Sequence, residues 1–233
     1  MAQKIDSIIF DLDGTLVDSQ PAALGATVEA LSRFGVHATD AEVREQFGGG
    51  ARKILRYFLE RDLDPDEAEE VIDEITALRN ELQLSYTDRV ILLPGVERLL
   101  KSLKTNRYRL AIATMSARNI AMDVTTFHGI SDCFDAMLTA DDVVKVKPDP
   151  EILIMTIGRL GGQVDRTLYV GDSSHDLEAA VNLGMPFLLA DTGIYVRGEA
   201  REKLRAAAIE KGFPIVGLTE LLDISDIAMS MVD

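Results

Sequence analysis

The sequence predicts an α/β fold: a mainly parallel sheet flanked by helices and interrupted by an inserted all-helical segment. Three observations carry this. Short apolar runs rich in β-formers recur along the chain, and helix-like stretches lie between them, the pattern of a buried parallel sheet. The region 19–88 breaks that rhythm and carries only helical periodicity. Finally, 233 residues are long for one compact domain and short for two. One unit from 1–18 and 89–233, with 19–88 as an insert, accounts for all three.

The elements follow in order. Ser7–Phe10 is the first strand-like run. Pro21 to Phe34 then has apolar residues at helical spacing and stops at Gly35. Thr39-Asp-Ala-Glu42 matches a capping box, in which a hydroxyl and a carboxylate satisfy each other's free amides. Gly50 leads into Ile54, Leu55, Phe58 and Leu59, another apolar helical face. Pro65 starts a helix with Val71, Ile72, Ile75 and Leu78 on one stripe. Past the insert, Pro94 to Lys104 reads as a helix opened by its proline. Leu110–Ala113 is a strand, and Ser116 is placed to cap a helix running to Gly129. Ala136–Thr139, Thr167–Val170, Pro186–Ala190 and Pro214–Val216 are further strands, and Asp176 to Leu183 is a helix closed by Gly184.

Composition narrows the function. Hydrophobic residues make up 47% of the chain, enough for an ordinary core. No apolar run approaches the ~20 residues of a membrane span. Met1 to Ile5 lacks the basic and apolar regions of a secretory signal. A net charge of −15, without a basic cluster, argues against nucleic acid and against an anionic membrane surface. The lone Cys133 forms no internal disulfide, which suits a reducing cytosol, and a cytoplasmic protein is expected. Cys133 has no nearby base or cation to activate it.

The most informative segment is Ser7-Ile-Ile-Phe-Asp11-Leu12-Asp13-Gly14-Thr15. Residues two apart on a strand face the same way, so Asp11 and Asp13 can converge at the strand's carboxyl end. Parallel sheets place ligand sites there. Two close carboxylates repel unless a cation lies between them or one is protonated. Mg2+ is the natural cation for such hard oxygen ligands. Gly14 permits a tight turn and is expected to turn an N–H toward an anion. An Asx turn ending the strand is the plain alternative, but the full Asp-x-Asp-Gly-Thr string behind an apolar strand is rare.

The segment resembles the first motif of the haloacid dehalogenase-like hydrolases, most of which are phosphatases. The resemblance implies a Rossmann-like core carrying a helical cap, as in the phosphoglycolate phosphatase-like branch. It implies that Asp11 is a nucleophile that becomes phosphorylated, and that Asp13 is the general acid and base. The halide-cleaving members lack the second aspartate, so Asp13 points to phosphoryl transfer. Asp11, the backbone carbonyl of Asp13, and Asp172 are the implied Mg2+ ligands. Leu12 and Gly14 are expected to offer amides to the phosphoryl oxygens.

Three later segments match in order. Thr114 ends a strand and looks like the second motif, its hydroxyl and the following amides suiting a phosphoryl oxygen. A helix-capping role for Thr114 or Ser116 is the plainer reading. Many relatives place asparagine after this position, where this chain has Met115; a donor is then missing, or only the Met115 amide serves. Lys147-Pro148-Asp149-Pro150 resembles the third motif, with Lys147 balancing charge at the nucleophile. Lys145 competes for that role, and Lys147 is preferred for its Pro-x-Pro sequel. Gly171-Asp172-Ser-Ser-His-Asp176 resembles the fourth motif. Asp176 is expected to orient a metal-bound water or Lys147, with a helix N-cap as the alternative. His175 is a weak candidate base, and His37 and His128 read as structural.

In the insert, Phe47-Gly-Gly-Gly50-Ala-Arg52-Lys53 is either a simple linker or a loop whose Arg52 grips a substrate carboxylate or second phosphate. Together these expectations describe a Mg2+-dependent phosphatase of a small phosphorylated metabolite such as a phosphoglycolate-like acid or a sugar phosphate. A sugar-phosphate mutase of the same family is the nearest alternative. A phospho-receiver domain and a silent interaction protein are the others. Monomer and homodimer both remain open.

Overall fold

The structure, a computed structural model, describes residues 5–46, 50–217 and 224–230. The chain divides into two compact units, one made of Met1–Asp18 and Leu92–Asp233, the other of Ser19–Ile91.

The larger unit is built on a six-stranded parallel sheet. Its strands are β1 (Ser7–Phe10), β4 (Arg109–Ala113), β5 (Ala136–Leu138), β6 (Thr167–Gly171), β7 (Phe187–Asp191) and β8 (Ile215–Gly217), in the order β5-β4-β1-β6-β7-β8. The short segments β2 (Val17–Asp18) and β3 (Ile91–Leu92) form a separate two-stranded sheet. Their two residues each are too few to show an alternating pattern in sequence. β1, β4, β6 and β7 are apolar on both faces because helices cover both faces of the sheet. One core cluster joins Ile9, Ala111, Tyr169, Phe187 and Leu189 of the strands to Ile152, Leu153, Leu177 and Leu204 of the helices.

Those helices are α5 (Val96–Thr105), α6 (Arg118–Phe127), α7 (Glu151–Leu160), α8 (Ser174–Leu183) and α9 (Gly198–Glu210), followed by the short α10 (Ile224–Ser230). Two starts differ from expectation. Pro94 does not open α5: Gly95, at φ +86°, is its N-cap, and Pro94 belongs to the preceding turn. Ser116 does not cap α6. Ala117 is the N-cap, and the first helical amide, that of Arg118, donates instead to Asp141 at 2.8 Å. α7 and α8 end on left-handed Gly161 and Gly184, the usual way to close a helix.

The smaller unit is helical: α1 (Gln20–Arg33), α2 (Asp40–Glu45), α3 (Ala51–Asp62) and α4 (Pro65–Ser85). The Thr39–Glu42 capping box forms as expected at the start of α2. These helices share a core of their own, in which Leu24 and Leu31 meet Leu55, Phe58, Ile72 and Ile75. Residues 47–49, three of the seven in the Phe47–Lys53 segment, lie outside the described residues.

Sheet order positions the site. From β1 the chain moves one way to β4 and β5, then returns to β6 on the other side of β1. Such a reversal opens a crevice at the carboxyl ends of the strands. The register aligns Phe10 with Ile112 and with Val170. One step beyond come Asp11, Ala113 and Gly171, and just past them Thr114 and Asp172.

Candidate active site

Asp11 is the first residue after β1, its amide bonded to the Val170 carbonyl at 2.9 Å. Lys147 reaches it from the loop before α7. Its Nζ donates to Asp11 Oδ1 at 2.8 Å, to the Ala113 carbonyl at 2.8 Å and to Asp176 Oδ1 at 2.9 Å. All three ammonium protons thus have acceptors. Lys145 lies outside this cluster: its side chain is exposed and pairs with Asp149 at 3.5 Å. The Lys147–Pro148 peptide bond is cis.

Asp176 is held from every side. Besides Lys147, its Oδ1 accepts from the Tyr169 hydroxyl, and its Oδ2 accepts from Ser173 Oγ at 2.6 Å and the Ser173 amide at 3.1 Å. Ser173, not Asp176, is the N-cap of α8, and Asp176 completes the capping box. One carboxylate therefore starts the helix and holds the lysine. Tyr169 was not foreseen. The available signal was a tyrosine in a buried parallel strand, where its hydroxyl must find a partner.

Asp172 follows β6 and is 6% exposed, and its Oδ2 is buried without a hydrogen-bond partner. Asp11, Asp172 and Asp176 each present an oxygen within 4.8 Å of the others'. A buried carboxylate oxygen left without a donor is costly unless a cation meets it. The donors are all oxygens, which suits a hard divalent ion. Asp176 already spends both oxygens on Lys147, Tyr169 and Ser173, which leaves Asp11 and Asp172 as the side chains free to ligate.

The electrostatics agree. Burial pushes the Asp11 carboxyl up to about 7; Lys147 opposes this, while Asp176 and Asp13 add to it. Burial, then the charges of Asp176 and Asp11, hold Asp172 well above the usual carboxylate range. Burial also works against an anionic Asp176, yet Lys147, Ser173 and Tyr169 keep its carboxyl below its ordinary value. Burial alone would lower the Lys147 ammonium, but Asp11 and Asp176 outweigh it and raise it. A single ammonium does not balance so many carboxylates.

Asp13 turns toward β4. Its Oδ2 accepts from Ser116 Oγ at 2.6 Å and Thr114 Oγ1 at 3.3 Å. Thr114 Oγ1 in turn accepts from the Ser116 amide at 3.0 Å. Ser116 thus serves Asp13 rather than a helix end. Gly14 takes φ +86° as the turn requires, but its amide donates to the Val17 carbonyl at 2.7 Å. The expectation that this amide faces an anion fails: the turn consumes it. The amides of Leu12 and Met115 meet no acceptor among the described residues. The Met115 side chain is accounted for too, since its sulfur accepts from the Lys147 amide at 3.4 Å. Of the expected site residues, Asp11, Asp13, Thr114, Lys147, Asp172 and Asp176 are joined by these contacts around one set of strand ends. Arg52 lies in the helical unit, where it forms an ion pair with Asp73. His175 is exposed on α8.

The chain has full-length relatives among known proteins. A phosphoglycolate phosphatase of Vibrio vulnificus is 33% identical over 95% of this chain and 96% of its own length. A pyrophosphatase of Halalkalibacterium halodurans is 29% identical over 84% of this chain and 87% of its own. Among solved structures, the phosphate complex of CbbY from Rhodobacter sphaeroides has a TM-score of 0.77 at 22% identity, over 97% of this chain and 99% of that one. That last likeness is one of fold. No described helix is long and apolar enough to cross a membrane. Residues 8–190, from β1 into β7, match the family model, and the chain belongs to the haloacid dehalogenase-like hydrolases.

Proposed function

We propose that this protein is a Mg2+-dependent phosphatase that hydrolyses a small phosphorylated metabolite through a phosphorylated Asp11. The observation that carries this reading is the Lys147 ammonium bridging Asp11 and Asp176 at 2.8 and 2.9 Å, beside the unpartnered Asp172 oxygen. The phosphatase names of the full-length relatives support it.

Asp11, Asp172 and the Asp13 backbone carbonyl would hold the ion. When bound, Mg2+ supplies positive charge between the nucleophile and an anionic phosphoryl group. The rest falls to the chain. An Asp11 oxygen attacks phosphorus, and the bond from phosphorus to the leaving oxygen breaks. Asp13 gives its proton to that oxygen. A water then loses a proton to the Asp13 carboxylate and attacks the phosphorus, releasing inorganic phosphate and restoring Asp11. Ser116 and Thr114 fix the Asp13 carboxylate. Lys147 and the Leu12 and Met115 amides face the developing negative charge, and Asp176 and Tyr169 hold Lys147 in place.

The test is phosphate release from a panel holding phosphoglycolate, sugar phosphates, nucleotides and pyrophosphate, with Mg2+ present. Wild type should turn over at least one of them. Asp11→Asn should lose at least ~10³-fold in kcat, as expected for removal of a nucleophile. Full turnover by that variant would overturn the assignment. The same intermediate returned to a sugar would make a mutase, and an isomerised sugar phosphate in place of free phosphate would reveal it.

A further inference from the structure

We propose that Thr192 is a positioning residue for Asp13, acting through the Gly14 carbonyl from the far side of the turn. The inference rests on the phosphatase reading, because it concerns how the acid and base of that reaction is held.

β7 ends at Asp191, and the next residue, Thr192, is buried at 7% exposure. Its hydroxyl donates to the Gly14 carbonyl at 2.6 Å, across 178 positions of sequence. The backbone of Gly14 is thereby tied at both ends, the amide to Val17 at 2.7 Å and the carbonyl to Thr192. The same loop brings up Tyr195: a Cβ built on Gly14 would stand 2.8 Å from its ring. The loop itself is anchored. Asp191 is 5% exposed and takes ion pairs from Arg201, at 2.6 Å, and from Arg205, both on α9.

Asp13 is therefore constrained from two directions. Its carboxylate is pulled toward β4 by Ser116 and Thr114, and the Gly14–Thr15 peptide, one residue further on, is pinned toward β7 by Thr192. A glycine in the turn gives the backbone little stiffness of its own, so the external bond defines where the Asp13–Gly14 turn sits. A general acid works only within hydrogen-bond reach of the leaving oxygen, and misplacement by ~1 Å costs up to ~10²-fold. Substrate binding relies on Lys147 and the Leu12 and Met115 amides, none of which contacts Thr192 among the described residues.

The variants are Thr192→Val, which keeps the shape and removes the hydroxyl, and Thr192→Ser, which keeps the hydroxyl. They are assayed against whichever phosphomonoester wild type hydrolyses. In Thr192→Val kcat should fall about 10- to 100-fold with KM within about twofold, and Thr192→Ser should return to within about threefold of wild type. Calorimetric titration with Mg2+ and beryllofluoride, a phosphoryl mimic, counts competent sites. Its stoichiometry should match wild type in both variants. Wild-type kcat in Thr192→Val overturns the proposal. So does a loss of kcat matched by an equal loss of binding sites, which would mean Thr192 merely supports the fold. If wild type hydrolyses no phosphomonoester, the phosphatase reading itself fails and takes this one with it.

Discussion

Gly14 sits where no side chain has room. A Cβ there would lie 2.2 Å from Asp172 Oδ2 and 2.7 Å from Asp172 Cγ, and the residue's φ of +86° disfavours any L side chain. Gly14→Ala should therefore displace the Asp172 carboxylate or open the turn. Either change would weaken the proposed ion site, and a loss of roughly tenfold or more in Mg2+ affinity is expected, in the range seen when groups supporting a metal site are disturbed. Isothermal titration with Mg2+ measures it, and unchanged affinity would remove Asp172 from the ligand set. At this scale the sequence exposed the residues whose placement follows from local spacing. Asp11 and Asp13 are two apart at the end of an apolar strand, and that geometry needs no tertiary knowledge. Thr192, Tyr169 and Ser116 were not legible in these roles, because their partners lie 178, 7 and 103 positions away. Even the short Tyr169–Asp176 contact depends on how α8 packs on β6. The Gly14 amide misled for a related reason: a free N–H in sequence is spent in structure on the nearest carbonyl.

Elements were easier to read than their ends. The six strands of the sheet, the four helices of the smaller unit and α5, α6 and α8 appear where the sequence pattern puts them, because burial on one or both faces writes itself into composition; α7, α9 and α10 were not singled out in sequence. Caps were less legible. α6 takes its first acceptor from Asp141, 23 positions on, instead of from Ser116. Pro94 failed to open α5 because Gly95 makes the turn first. The junction of β7 and α9 carries a prediction of its own. Burial pushes the Asp191 carboxyl up, but hydrogen bonds and charge from Arg201 and Arg205 outweigh it and hold it below its ordinary 3.8. A carboxyl lowered on folding adds stability above its unfolded value, and that stability is lost as pH falls through the folded one. Asp191→Asn should thus cost ~1–3 kcal/mol at neutral pH, the lower part of that range being favoured by the partial exposure of both arginines. The gap from wild type should close below about pH 4. Urea melts at a series of pH values measure both, and a gap that persists undiminished into acid would show that the ion pairs contribute no stability.

At the scale of the molecule the dominant fact is excess negative charge. The chain carries −15, and its buried site gathers Asp11, Asp172 and Asp176 around one lysine. Each unit has a hydrophobic core to resist this, but a buried site short of positive charge lowers the stability of the ion-free fold. The sign follows from Asp11. Its carboxyl is raised on folding from 3.8 to about 7, so the ion-free fold loses stability as pH rises between those values and recovers none above them. A divalent ion bound to the folded state alone offsets that loss by mass action. Mg2+ at a hundred times its Kd adds about 2.7 kcal/mol. For a chain of this length that is roughly 5–10 °C in Tm. Thermal melts with Mg2+ should show the rise in wild type, larger at about pH 8 than at about pH 5.5, where a proton competes for Asp11. Sodium chloride at matched ionic strength should give a much smaller rise, since screening acts weakly on buried charges. Asp172→Asn removes a buried ionisable carboxyl from the crowd, so its ion-free melt should lie at or above that of wild type while its response to Mg2+ disappears. A full Mg2+ response in that variant would place the ion elsewhere on the acidic surface. The meeting of β1 and β6 ends would then be a charge cluster without a resident cation.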